Sequence, residues 1–168
     1  MKQIEQRKKQ VFFETNVLLS ELGFRATSID MTRPWGGFFV VDENQAAAFA
    51  GHFFPDQQLE EISAEKKLSP KILLVAPGQK LSWQYHNRRA EVWRCIKGEV
   101  SVITSDTDEE KHMRKLQPDD FISLKQGERH RLIGDTDWGI VAEIWMHTDR
   151  SHPSDEEDII RLQDDYGR

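Results

Sequence analysis

Residues 78–91 read GQKLSWQYHNRRAE, and the alternation within this stretch predicts the fold of the chain. Side chains two positions apart on a β-strand point to the same face of a sheet. Gln84 and His86 therefore face one way, whereas Trp83 and Tyr85 face the other. This pattern predicts a strand that directs polar groups into an interior and bulky apolar groups to the outside.

The polar face of this strand predicts a metal site. A short loop after His86 brings the chain back at Glu91, and Gly98 permits a turn at the end of that second strand. His130 arrives from a later strand. Imidazole nitrogens with carboxylate and amide oxygens suit a borderline divalent ion and leave room for water or substrate. The predicted ligands of a divalent metal, with zinc as the expected ion, are Gln84, His86, Glu91 and His130.

Short apolar or alternating runs continue from residue 71 and are separated by turns with Gly, Pro or Asp. About eight short strands at this spacing are typical of an antiparallel sandwich or barrel. The predicted strands are 71–76, 81–86, 90–97, 99–104, 111–116, 121–125, 130–133 and 139–146. The acidic tail, 154–168, is expected to wrap the barrel surface.

Helical periodicity marks the first part of the chain. Residues 1–22 carry apolar side chains at helical spacing, and Gly23 is a natural stop. A turn at 33–37 leads into a short predicted strand, 38–41. Asp42 followed by Gln45 predicts a capping box for a helix over 46–50. We therefore predict one structural domain in two parts. These are a helical and turn extension packed on the barrel, 1–70, and the barrel with its C-terminal tail, 71–168.

Composition restricts the class of protein. A chain of 168 residues is long enough for one domain with a core, and a net charge of -6 argues against nucleic acid as a partner. Cys95 is the single cysteine, so no intrachain disulfide is expected, and we interpret it as a buried strand residue. No signal-like or membrane-spanning apolar run is present, so we expect a cytoplasmic protein without membrane contact.

The outward-facing aromatic side chains also predict a partner. Trp83 and Tyr85 require a cover in the predicted barrel, because large apolar groups are rarely left together in water. The N-terminal helix or a second copy of the chain would supply this cover. We therefore expect a homodimer.

These motifs together resemble those of the cupin superfamily. Residues 78–98 fit its first motif, Gly-x5-His-x-His-x(3,4)-Glu-x6-Gly, with Gln84 in place of the first His. Gly127 and His130 match the second motif, in which Lys125 stands where Pro is usual. The resemblance implies an all-β fold, the double-stranded β-helix or jelly-roll barrel, here with an N-terminal helical extension.

The closer resemblance is to the cupin domain of type II mannose-6-phosphate isomerases. It covers about residues 33–168, and in these proteins Gln in place of the first cupin His is usual. The matching segments are Arg33–Gly36, Pro77–His86, Arg89–Trp93 and Asp164–Arg168. Asn87 and Val92 stand where this family often has histidine.

The resemblance implies that a small-molecule sugar phosphate is the substrate. Mannose 6-phosphate and fructose 6-phosphate would interconvert through an enediol, with a metal ion stabilising the oxyanion. Glu143 is the candidate base. Arg89, which we place at the barrel mouth, and Lys80, which alternation places on the face of Gln84, are the candidate phosphate ligands. Further candidate cations are Arg33, Arg131 and Arg161.

Two other functions are compatible with the same residues. Two His and one carboxylate with open positions also suit Fe(II), so a cupin dioxygenase is one alternative. The absence of the additional family histidines at 87 and 92 favours the other alternative, a sugar-binding cupin without catalysis.

Overall fold

The computed structural model describes residues 1–57, 59 and 66–167, and its strands form two antiparallel sheets. The strands of the described residues are β1 (Ala26–Asp30), β2 (Gly36–Val41), β3 (Lys71–Val75), β4 (Trp83–Tyr85), β5 (Arg89–Lys97), β6 (Val100–Ser105), β7 (His112–Leu116), β8 (Phe121–Leu124), β9 (Arg129–Gly134), β10 (Gly139–His147) and β11 (Ile160–Gln163). All eight strands predicted from residue 71 onward are present, and β2 corresponds to the short strand predicted at 38–41.

The two sheets face each other as a jelly-roll barrel. One has the order β1-β2-β3-β10-β5-β8, and the other has the order β11-β4-β9-β6-β7. Apolar side chains from both sheets meet between them in an inner core, which includes Leu73, Trp93, Val102, Leu132 and Val141. The predicted all-β jelly-roll fold is therefore confirmed.

Helix α1 (Lys2–Glu21) has the predicted extent and ends in the predicted way. Gly23 adopts a φ of +80°, which glycine tolerates without strain. The Gly23 N–H donates to the Ser20 carbonyl, and the Phe24 N–H donates to the Leu19 carbonyl at 2.8 Å. These two bonds form a Schellman C-cap.

An outer core lies on the opposite face of the six-stranded sheet, where α1 and helix α2 (Ala46–Phe53) cover the strands. Phe12 of α1 stacks on Phe39 at 5.6 Å between ring centroids and meets the edge of Trp138 at 6.3 Å. Strand β3 is consequently buried on both faces, with Ile72 and Leu74 in the outer core.

The predicted capping box at Asp42 is wrong. The Asp42 carboxylate accepts from the Asn44 N–H and caps a 3-10 turn, Glu43–Gln45, that precedes α2. The Gln45 amide instead bonds the Gly23 carbonyl and accepts from the Arg25 N–H. Gln45 thus ties α2 to the segment that follows α1.

The predicted cover for Trp83 and Tyr85 is also wrong. Trp83 is 2% exposed, and its indole N–H donates to the Asp108 carbonyl in the turn between β6 and β7. The Arg129 guanidinium lies 4.1 Å from the centre of the Tyr85 ring. The chain therefore covers this surface itself, and the homodimer stays a prediction without that reason behind it.

Two strands were not predicted. β1 pairs with β2 in the six-stranded sheet, so residues 1–70 supply two strands as well as helices. β11, in the predicted tail, pairs with β4 and forms an edge of the other sheet. Arg168 lies outside the described residues, and the division at residue 70 stays a prediction. None of the helices in the described ranges has the length and apolar character needed to cross a membrane.

Candidate metal centre and cavity

Three of the four predicted ligands converge from both sheets. His86 follows β4, His130 is on β9, and Glu91 is on β5 of the opposite sheet. The Nε2 atoms of the two histidines are 3.2 Å apart. His86 Nε2 lies 3.1 Å from Glu91 Oε1, and His130 Nε2 lies 3.6 Å from Glu91 Oε2. All three side chains are buried.

Backbone carbonyls determine which nitrogen of each imidazole carries the proton. His86 Nδ1 is 3.1 Å from the Asp158 carbonyl oxygen, and His130 Nδ1 is 2.9 Å from that of Glu128. A carbonyl only accepts, so each Nδ1 donates and each Nε2 presents a lone pair. Burial lowers the pKa of His130 to about 4, so this imidazole is neutral at pH 7. Two lone pairs this close favour a cation between them.

Glu91 supplies the negative charge of the cluster. Burial alone would raise its pKa, but Arg89, His86 and His130 outweigh burial and hold the pKa of Glu91 well below its usual range. Glu91 Oε2 is buried and has no hydrogen-bond partner among the described residues. An ionised carboxylate with a free oxygen beside two imidazole Nε2 atoms fits a divalent cation. His86, Glu91 and His130 thus form a group that could hold a metal ion.

Gln84 is positioned beside the same group. It stands opposite His130 in the register of β4 and β9 and lines the same cavity as Glu91. Its Oε1 accepts a 2.6 Å hydrogen bond from the Ser82 hydroxyl. The structure thus brings Gln84 to the site, and its role as a fourth ligand stays a prediction.

Arg89 lies inside the site and not at the mouth of the barrel. Its guanidinium is buried against the Trp145 ring at 3.5 Å, and its Nε donates to Glu91 Oε1 at 2.7 Å. The two Nη atoms contact His86 Nε2, the Ser154 hydroxyl and a backbone carbonyl. Because these contacts already use most of its donors, Arg89 is placed to hold Glu91 and the structure does not present it to a phosphate.

Beside the metal group lies a cavity with an empty volume of about 550 Å³, partly open to solvent. Its wall combines aromatic, cationic and acidic side chains. Lining residues of these kinds include Trp35, Phe38, Trp93, Trp145, Arg33, Lys71, Arg161, Glu91, Glu143 and Glu156.

Glu143 is a buried acidic group of this cavity whose pKa is raised. Its Oε2 accepts from the Trp93 indole N–H at 2.8 Å, and its Oε1 accepts from the Trp145 indole N–H at 2.9 Å. Burial, and then the charge of Glu91, raise the pKa of Glu143 to about 7. A carboxylate with this pKa can take and return a proton near neutral pH.

Lys80 does not reach the cavity. Its ammonium pairs with Asp165 at 3.4 Å, and the residue does not line the cavity. The prediction extended the alternation of β4 back to residue 80, but β4 begins at Trp83, and Lys80 forms only an isolated bridge to Ile133. Arg131 is likewise engaged elsewhere, by Glu110 at 2.9 Å. Arg33 and Arg161 do line the cavity.

Sequence reasoning missed several groups around the site. Lys71 faces the cavity from β3, and Trp145 lines it from β10. Asp158 accepts from the Asn87 and Arg88 N–H groups, while its own carbonyl orients His86. The alternation of Lys71 with the inward-facing Leu73 could have revealed the lysine, whereas nothing local marks the others.

The two departures from the family pattern lie outside the cavity wall. Val92 is 1% exposed and packs in the outer core, on the face of β5 opposite to Glu91. The main chain of Asn87 contacts Asp158 and the Gln126 amide. The missing histidines therefore leave the three converging ligands intact.

Comparison with known proteins places this geometry in context. Residues 44–164 match the family model described as "Mannose-6-phosphate isomerase C-terminal". The chain is 26% identical over 136 residues to the xanthan biosynthesis protein XanB of Xanthomonas campestris pv. campestris, a match that covers 81% of this chain and 23% of that protein. It is 26% identical over 114 residues to the mannose-1-phosphate guanylyltransferase ManC of Salmonella typhimurium, covering 68% and 22%.

A solved structure shares the fold. A mutant of the Bacillus subtilis oxalate decarboxylase OxdC superposes with a TM-score of 0.59 at 13% identity, over 83% of this chain and 32% of that one. At this identity the match shows the fold alone. The chain spans less than a quarter of the length of the two curated relatives.

Proposed function

The chain belongs to the family of mannose-6-phosphate isomerase C-terminal domains, and from this premise we propose that it is a metal-dependent aldose-ketose isomerase of sugar phosphates. The expected pair is mannose 6-phosphate and fructose 6-phosphate. The observation that carries the proposal is the position of Glu143, a buried carboxylate with a pKa of about 7 in the same cavity as Glu91.

Glu143 would act as the base that moves the proton between C1 and C2. In the open-chain aldose it takes the proton from C2, the electron pair forms the C1–C2 double bond, and the carbonyl oxygen on C1 gains a proton from water. The same carboxyl then returns its proton to C1 while the C2 hydroxyl gives its proton back to water, which yields the ketose. Trp93 and Trp145 hold both oxygens of Glu143 in place for this exchange.

The remaining residues organise the reacting end of the sugar. His86, Glu91 and His130 would hold the metal ion, with Gln84 as the expected fourth ligand, and we propose zinc as the ion. When bound, the ion stabilises negative charge on the C1 and C2 oxygens. Arg89 keeps Glu91 ionised and oriented. Arg33 and Arg161 are cations available to the substrate's phosphate in the cavity.

A coupled assay on the metal-loaded protein tests this proposal. We expect conversion of mannose 6-phosphate to fructose 6-phosphate, with solvent deuterium entering at C1, because the transferred proton passes through Glu143. Glu143→Gln should lower kcat by roughly 10²- to 10⁴-fold. Glu109→Gln, on the exposed turn between β6 and β7, is the matched control. A metal-loaded protein without turnover would reject the isomerase, and full activity of Glu143→Gln would reject the base.

A dioxygenase is a second candidate, because the converging group is two His and one Glu, the ligand type that non-haem Fe(II) enzymes use. Loading the protein with Fe(II) without oxygen and then measuring O₂ consumption with sugar phosphates separates the two functions. Substrate-dependent O₂ uptake would favour the dioxygenase. Binding of sugar phosphate without either reaction would favour the non-catalytic cupin.

A further inference from the structure

Lys71 is a buried cation in the cavity, and the reaction proposed for Glu143 gives it no role. The residue is 9% exposed, and its ammonium lies 3.8 Å from the centroid of the Trp145 ring and 5.3 Å from that of Phe38. Strand register sets Lys71 directly opposite Glu143. A charge enclosed by aromatic rings and removed from water favours an anionic partner.

The partner that Lys71 has in this structure is a weak one. Among the described residues, Glu156 is the only carboxylate within 4.0 Å of the ammonium, at 3.6 Å, and the Glu156 side chain is 59% exposed. Two other cations of the cavity have closer partners. Arg89 pairs with Glu91 at 2.7 Å, and Arg33 pairs with Asp30 at 2.9 Å. An ion pair with one solvated member contributes little to stability.

The Lys71–Glu156 ion pair lies where two cavities adjoin. Lys71, Trp145 and Glu156 line the cavity of the metal group and also a second one, with an empty volume of about 930 Å³, on the side of Thr27 and Asp42. Glu156 begins a 3-10 turn that ends at Asp158, the residue whose carbonyl orients His86. Glu156 can therefore leave Lys71 and swing into solvent while Asp158 keeps its contacts.

We propose that Lys71 anchors the phosphate of the substrate and that Glu156 occupies this anchor until the phosphate replaces it. The phosphate monoester is a dianion with several acceptor oxygens, so it forms stronger charge-assisted bonds to the ammonium than a solvated carboxylate does. The identity of the substrate rests on the proposed function, whereas the anchor itself is a property of the cavity.

The anchor predicts opposite effects for its two members. We would titrate metal-loaded protein with inorganic phosphate, mannose 6-phosphate and mannose by calorimetry. Lys71→Met should weaken binding of both phosphates at least about tenfold. Glu156→Gln should tighten it by about two- to fivefold, because a competing anion is removed. The double variant should behave like Lys71→Met, and mannose should bind all variants alike.

A matched control and a second variant make the result decisive. Glu99→Gln removes a carboxylate that pairs with an exposed lysine at 3.1 Å, and it should leave phosphate affinity unchanged. Lys71→Arg keeps the charge and should retain phosphate binding that Lys71→Met loses. Because Glu156 is exposed, Glu156→Gln can be interpreted even where Lys71→Met unfolds.

The outcomes separate the anchor from the isomerase. Equal phosphate affinity in the wild type and both single variants, or weaker binding by Glu156→Gln, would overturn the anchor. Weaker phosphate binding by Lys71→Met and tighter binding by Glu156→Gln, without any turnover, would support the anchor and reject the isomerase. Turnover with a KM that Lys71→Met leaves unchanged would support the isomerase and reject the anchor.

Discussion

At the scale of single residues, the site separates two carboxylates that would otherwise behave alike. Glu91 and Glu143 are both buried, but Arg89 and two imidazoles surround Glu91, whereas two indole N–H groups bind Glu143. The pKa of Glu91 is therefore held well below its usual range, and that of Glu143 is raised to about 7. The environment therefore keeps Glu91 charged and leaves Glu143 able to exchange a proton near neutral pH.

The titration of Glu143 can be observed without substrate. In metal-free protein, lowering the pH through about 7 protonates Glu143, so its oxygens become weaker acceptors for the indole N–H groups of Trp93 and Trp145. We expect both indole ¹H–¹⁵N resonances to shift upfield together, with a midpoint near this pH. In Glu143→Gln the midpoint should be absent. Independent movement of the two resonances would contradict a shared carboxylate.

Removal of one imidazole tests the metal group directly. His130→Ala deletes a predicted ligand and should lower zinc affinity at least about 10²-fold, since loss of a residue that only orients a metal ligand already costs roughly 10- to 100-fold. His112→Ala, on the exposed face of β7, is the control and should bind zinc like the wild type. Equal zinc affinity of the two variants, measured by competition with a chelator, would exclude His130 as a ligand.

Much of this site can be read from the sequence, because alternation is a local property. It places Gln84, His86 and Glu91 on inward faces without knowledge of the rest of the chain. Depth is not local. Nothing in the sequence tells that Arg89 is buried among acceptors, because Ser154 and the backbone that bind it arrive from a distant segment.

At the scale of elements, burial on both faces makes central strands easy to recognise in the sequence, whereas of the four edge strands two, β7 and β8, were predicted from the turns around them and two, β1 and β11, were missed. β3 and β10 are apolar on both sides and stand out as continuous runs. β1 and β11 are edge strands whose side chains are mostly half-buried or exposed. An edge strand needs only one neighbour and no apolar alternation, so its sequence resembles that of a loop.

Helix α1 offers a sharp test of its packing role. Phe12 is 3% exposed and stacks in the outer core, whereas its neighbour Phe13 is 68% exposed. Phe12→Ala should destabilise the protein by about 3–5 kcal/mol through a cavity. Phe13→Ala should change stability by less than about 0.5 kcal/mol. Urea unfolding measures both, and similar losses would show that α1 does not pack as described.

At the scale of the whole molecule, the metal group links the two sheets. His86 and His130 belong to the five-stranded side, and Glu91 belongs to the six-stranded side. An ion bound by all three would connect the halves of the barrel, so its binding free energy adds to the stability of the folded state.

Metal should therefore raise the melting temperature. At a hundredfold excess of free zinc over Kd the stabilisation is about 2.7 kcal/mol, which corresponds to roughly 5–10 °C for a chain of this size. At the same zinc concentration, His130→Ala should gain at most about 0.4 kcal/mol, or roughly 1–2 °C. A wild-type melting temperature that zinc leaves unchanged would contradict a metal site across the sheets.

The two cores on opposite faces of β3, β5 and β10 have a practical consequence. Neighbouring residues on one strand, such as Leu73 and Leu74, belong to different cores, and no side chain in the described part of the chain belongs to both. The layer beneath the helices can thus be redesigned for heat tolerance while the lumen that holds the ligands keeps its shape. Evolution has the same freedom, since drift on one side of a strand need not be corrected on the other.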